Sequence, residues 1–248
     1  MSQKCSGLNK VKGHVDLGLE VSRQMARMNL TAEETGQVKA EGLDRLIPRI
    51  LSLFNPNMKG PLLDVGCGYG TVACVIQRVL NMETFGLDCE KHLLEQAKRK
   101  GVKTFCLNLE TDKFPFENQT FTHITFIEVL EHLAKPEHCL SEIARVLTPD
   151  GALILTTPNL TSLLNRWLVL RGLDPVKGTP FERPCDRHIR LYARNSLTSL
   201  LSNWFTVNEL IYFEPYARHS WKGSVRDTLH IFKKDLAYTM IARCQRRV

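Results

Sequence analysis

Apolar positions along the chain switch between two periods, and the switches mark its elements. From Thr31 the period is helical: Thr31 suits a cap, Glu33 and Glu34 suit a first turn, and Leu43, Ile47, Ile50, Leu51 and Phe54 share one face. Pro48 inside that face predicts a kink or a break, and Asn55-Pro56-Asn57 ends it. Upstream, residues 17–28 form a weaker helical stretch. Beyond position 60, compact apolar runs alternate with helical ones. Strands are predicted at 61–65, 84–87, 104–107, 121–127, 152–157, 205–213 and 237–244, and helices at 71–80, 91–100, 136–147, 160–168 and 195–202. Pro136 opens one helix, Gly101 closes another, Asn195 suits a cap, and Thr148-Pro149-Asp150-Gly151 reads as a turn before 152–157. Strands and helices in this alternation predict an α/β fold.

The first strand ends in the stretch PLLDVGCGYG, residues 61–70. Leu62, Leu63 and Val65 suit a buried parallel strand, and Gly66, Gly68 and Gly70 permit positive φ and close approach of backbone to a ligand. The helix that follows turns its free N–H groups toward the glycines, which favours an anion there. A dinucleotide turn of the form G-x-G-x-x-G needs a third glycine at position 71, which is Thr, so that reading weakens and D-x-G-x-G-x-G remains. The second strand ends in Asp88, about 20 positions beyond the turn, where an acid accepts both ribose hydroxyls of a bound nucleoside.

D-x-G-x-G-x-G resembles motif I of the class I S-adenosylmethionine-dependent methyltransferases, and VLTPDGALILTTPN resembles that family's approach to its fifth strand; the resemblance covers 61–159. It implies a doubly wound, Rossmann-like sheet of seven strands in the order 3-2-1-4-5-7-6, with strand seven antiparallel. It also implies S-adenosyl-L-methionine as cofactor, held by Asp64, Gly66, Cys67, Gly68, Gly70, Asp88, Asn108 and Leu109. Family members commonly carry an acid where this chain has Asn108, whose amide still contacts an adenine amine but brings no charge.

After the fourth strand, Glu128, Glu131 and His132 stand at i, i+3 and i+4, which on a helical turn directs all three to one side. Such a set can take a proton from an acceptor or hold a divalent ion. The string EVLEH resembles ubiquinone-biosynthesis O-methyltransferases and small-RNA 3′-terminal methyltransferases, whose equivalent residues bind a metal, and His188 matches the distant second histidine of the RNA enzymes. The same string is common in class I enzymes with no metal, where the glutamates favour a helix start. The expectation is therefore that Glu128, Glu131, His132 and His188 are catalytic without a bound metal, and that activity survives chelation.

Composition changes this picture in three places. At 248 residues the chain suits one domain, 1–248, with a helical extension over 1–58 and a lid-like insertion over 160–194. The net charge of +7 matters because between Arg166 and Arg194 seven basic residues meet three acidic ones, which suits an anionic acceptor. Eight cysteines without a C-x-x-C pair, a polar start and no apolar run near the roughly 18 residues of a membrane span point to a cytoplasmic protein. The apolar face at 160–168 is expected to cover the pocket as a lid. The expected function is methyl transfer to an O or N of a small or glycan-like, anionic acceptor. The alternatives are RNA 3′-terminal methyl transfer with a metal, and a non-catalytic cofactor-binding regulatory subunit; no oligomeric state is implied.

Overall fold

Alternation of apolar residues builds the sheet from its centre. In β1 (Leu62–Val65), Leu63 and Val65 point to one core and Leu62 to the other, and β5 (Leu147–Pro158) repeats this with Leu153 and Leu155 against Ile154. Around them lie β2 (Thr84–Asp88), β3 (Lys103–Cys106), β4 (Phe121–Ile127), β6 (Phe205–Phe213) and β7 (Thr239–Arg246), in the order β3-β2-β1-β4-β5-β7-β6. β1 to β5 pair in parallel, and β7 runs antiparallel to both β5 and β6. This is the order that the resemblance implied. The computed structural model describes residues 23, 42–55, 58–175, 188–214 and 234–247, so the cap at Thr31, the stretch 17–28 apart from Arg23, and the lid residues 176–187 lie outside the described residues.

Helices cover both faces. α1 (Leu43–Leu51), α2 (Thr71–Leu80) and α3 (Lys91–Arg99) pack on the side of Leu62 and Ile154, and α4 (Pro136–Val146) with a later helix, Arg194–Leu201, packs on the other. Between these two in sequence lies α5 (Leu163–Leu170), which makes Arg194–Leu201 α6.

Three expectations are corrected. α1 runs through Pro48 without a break: the proline forgoes one backbone bond, but Leu46, Ile47, Ile50 and Leu51 on both sides of it are buried and hold the helix together. α6 starts one residue before Asn195, because the Ser196 hydroxyl reaches back to accept a bond from the Ala193 N–H at 3.0 Å. The turn expected at 148–151 is absorbed into β5, where the register with β4 shifts between Phe121 and His123. The ends of β3 and β7 also move by one or two residues from the expected bounds.

Candidate active site

The carboxyl ends of β1 and β2 meet at the glycine turn. Gly66, Gly68 and Gly70 all have positive φ, but a Cβ would tell them apart. On Gly66 it would stand 2.4 Å from Val129 Cγ2, and on Gly70 2.6 Å from Ala97 Cβ and 2.9 Å from its Cα. On Gly68 it would meet nothing within 4 Å. Gly66 and Gly70 thus let protein pack on protein, and Gly68 borders open space.

Asp88 is held beside that space. Its Oδ2 accepts from the Gly68 N–H at 2.8 Å and its Oδ1 from the Glu90 N–H at 3.0 Å, which fixes the carboxylate while leaving further lone pairs. Cys67 is buried, with its sulfur in the room that Gly86 leaves, and burial followed by the Asp64 and Asp88 charges pushes its thiol up, so it packs as a neutral group. Asn108 is exposed, and its Oδ1 accepts from the Glu110 N–H at 2.9 Å, closing a loop over the buried Leu109. The open space beside Gly68, the fixed acid and this loop fit a nucleoside cofactor.

Asp64 sits beneath the turn, 2% exposed, and accepts a 2.6 Å bond from the Thr125 hydroxyl. Burial pushes its carboxyl up to about 7; the Thr125 bond opposes this, and the Asp88 charge adds to it. On the neighbouring strand the buried His123 stacks on Phe54, with ring centroids 4.7 Å apart, and burial followed by the Arg243 charge lowers it to about 4. The two groups oppose each other in pH. The Asp64 contribution to stability is complete below its ordinary value near 3.8 and is lost as pH rises through about 7. The His123 contribution is complete above about 6.5 and is lost as pH falls to about 4. Asp64→Asn is therefore expected to gain stability over the natural chain on the order of 4 kcal/mol between pH 4 and pH 8. Urea unfolding at both pH values checks this, and a difference that does not change with pH would defeat the assignment.

The second half of the site grows from the end of β4. Glu128 has φ 53°, a left-handed conformation, so it lies outside the helical turn, which is a single 3-10 turn over Leu130–His132. Its carboxylate accepts from the Thr156 hydroxyl at 2.7 Å. The expected helical turn is thereby corrected, since Glu128 is tied to β5, but its carboxylate stays beside that of Glu131, and Glu131, His132 and His188 each have a ligating atom within 4.8 Å of the others. The chain returns here because the Ile189 and Arg190 N–H groups both donate to the Glu131 carbonyl, at 3.0 and 3.1 Å. His188 Nε2 then lies 4.0 Å from Glu131 Oε1, and the His132 and His188 rings are 4.9 Å apart.

Glu131 is fully buried. Its Oε2 accepts from the Thr157 hydroxyl at 3.0 Å, and its Oε1 accepts no bond from the described residues. Burial, and then the Glu128 carboxylate, push its carboxyl well above the usual range. A buried acid with one open oxygen facing an imidazole is suited to moving a proton or receiving a cation. Thr125, Thr156 and Thr157 were missed in the sequence; the adjacent threonines where β5 ends beside EVLEH were the available signal.

Comparison with known proteins agrees with this geometry. A profile described as a methyltransferase domain matches residues 63–155. An O-methyltransferase of Pyrenophora dematioidea is 30% identical over 116 residues, 44% of this chain and 43% of that protein. A ubiquinone biosynthesis O-methyltransferase of Photobacterium profundum is 27% identical over 172 residues, 65% of this chain and 71% of that one. The chain spans less than half the length of several curated relatives it matches. Among solved structures, a possible histamine N-methyltransferase of Thermotoga maritima superposes with a TM-score of 0.57 at 14% identity, over 97% of this chain and 96% of that one. Sheet order, glycine turn, strand-end acid and the methyltransferase-domain profile matched over 63–155 together support a class I S-adenosylmethionine-dependent methyltransferase fold and domain in this chain.

Proposed function

We propose that the chain binds S-adenosyl-L-methionine at Gly68 and Asp88 and transfers its methyl group to an O or N of a small or glycan-like anionic acceptor. The observation that carries this reading is the open space at Gly68 beside an acid already oriented by two backbone N–H groups. The cofactor supplies an electrophilic methyl group when bound. The chain's own work is to align the acceptor, exclude water and take the acceptor's proton, and the Glu131 cluster beyond β4 offers the base. The anionic acceptor is supported by Arg166, Arg171, Arg190 and Arg194; Arg190 is steadied by a bond to the Ala134 carbonyl with further donors left, and Arg166 by the Thr161 carbonyl and the Asp235 carboxylate. Lys177, Arg183 and Arg187 of the basic stretch lie outside the described residues.

Calorimetric titration with S-adenosyl-L-methionine tests the reading. Asp88→Ala is expected to weaken binding by about 1.5 to 3 kcal/mol, the scale of hydrogen bonds to a charged group. Equal affinity in the variant would sink the ribose assignment.

The convergence of Glu131, His132 and His188 favours a second reading, RNA 3′-terminal methyl transfer, in which these three residues would hold a divalent ion that would supply Lewis acidity toward the acceptor; EVLEH resembles enzymes whose equivalent residues bind a metal. The donor set, one carboxylate and two imidazoles, is compatible with such an ion.

A further inference from the structure

Of the apolar face at 160–168, Leu168 is buried, Leu160, Leu163 and Leu164 are half-buried and Trp167 is exposed, and toward its end α5 turns further apolar side chains outward. Its inner side is made by Leu168, which is buried, and Asn165, whose amide donates to the Asn159 carbonyl at 2.9 Å. Trp167 is 50% exposed, Val169 58%, Leu170 86% and Leu173, just past the helix, 50%. Four of the six large apolar side chains exposed among the described residues therefore fall within seven consecutive positions, a concentration that scattered surface residues do not produce. Basic groups frame it. The Arg171 guanidinium lies 5.0 Å from the Trp167 ring centroid, and Arg166 is held at the Thr161 carbonyl and beside Asp235, whose carboxylate is 3.5 Å from its Nη2, with Asp174 the one acid in the stretch 160–175 itself.

We propose that this tip of the molecule docks on the surface of an anionic phospholipid bilayer. The chemistry of the patch selects that partner. A tryptophan with a cation over its ring suits the headgroup level, an almost fully exposed leucine suits the acyl boundary, and flanking arginines meet lipid phosphates, in a chain whose net charge is already +7. No helix among the described residues is long and apolar enough to cross a membrane, so the contact is one of lying on the surface. α5 follows directly from the end of β5 that carries Thr156 and Thr157, so docking there brings the Glu131 cluster near the lipid interface. Only this consequence, that the acceptor is taken from the bilayer surface, rests on the methyl-transfer reading.

Sedimentation with vesicles, done without cofactor, tests the docking. The natural chain is expected to partition onto vesicles of phosphatidylglycerol mixed with phosphatidylcholine and far less onto phosphatidylcholine alone. Leu170→Glu is expected to lower that partition at least tenfold and Arg171→Glu, a change of two charge units, about fivefold, whereas Thr206→Glu, the same single-unit change as Leu170→Glu at an exposed site on β6, leaves it within twofold. The inference is overturned if the natural chain stays in solution, or if Leu170→Glu and Thr206→Glu lose binding equally, which would make it an effect of net charge. A concentration-dependent dimer that Leu170→Glu dissolves, without vesicle binding, would instead assign the patch to a second copy. Vesicle binding with no methyl transfer to any acceptor would leave the docking standing and count against the proposed function alone.

Discussion

Gly68→Val is expected to fold and to lose S-adenosyl-L-methionine binding beyond calorimetric detection. A side chain here meets no protein atom within 4 Å, so the folded state bears only the cost of a left-handed residue at φ 49°, about 1 to 2 kcal/mol. That is small beside the roughly 5 to 15 kcal/mol of an ordinary domain. The valine instead fills the space next to Asp88 that the cofactor needs. The neighbouring glycines supply the contrast. Gly70→Val would push a side chain into the Ala97 backbone, and Gly66→Val into Val129, so both are expected to destabilise the fold itself. Thermal unfolding and titration of the three variants separate the two behaviours. If Gly68→Val binds as the natural chain does, the open space belongs to something else. Gly68→Ala, with its smaller side chain, should fall between the two and guards against a valine variant that fails to fold.

That contrast also shows where sequence reasoning reached its limit. β1, β4, β6 and α2 are read correctly from period and punctuation, since each is bounded by residues whose backbone preferences act locally: Pro61 and Gly66 around β1, Gly70 before α2. The topology followed from resemblance over a contiguous stretch. The roles of the three glycines did not follow, because the sequence shows that a Cβ is absent and not what would have met it. Only the fold brings Val129 behind Gly66 and Ala97 behind Gly70.

The same limit appears at the other half of the site. The spacing of Glu128, Glu131 and His132 suggested one shared face of a helical turn, but Glu128 turns left-handed to reach Thr156 and stands outside that turn, with its carboxylate still beside that of Glu131. His188, more than fifty positions away, was matched by resemblance; what places it is a pair of backbone bonds to the Glu131 carbonyl that no sequence pattern encodes. In α5 the period was found but not its direction. Asn165, through a backbone carbonyl, shares the inner side with Leu168, and Trp167, Val169 and Leu170 are left outside.

Glu131→Gln is expected to lower kcat by about 10² to 10⁴, the range for loss of a positioned acid or base, with cofactor affinity unchanged. Glutamine keeps the shape and a partner for the Thr157 hydroxyl, so the fold loses little; a buried acid held well above its usual range gives up no ion pair when it becomes an amide. A base acts after losing its proton, so the raised carboxyl places the rising limb of the natural chain's pH profile at higher pH than an ordinary glutamate would, and the glutamine variant should lack that limb. A purely structural role would leave the shape of the profile intact. Chelation then divides the two readings of the cluster. If Glu131 works as a base beside His188, activity survives a chelator, which is the expected result. If Glu131, His132 and His188 hold an ion, the chelator removes methyl transfer from the natural chain, a divalent metal restores it, and Glu131→Gln responds to neither, while titration of the cofactor at Gly68 and Asp88 stays the same throughout.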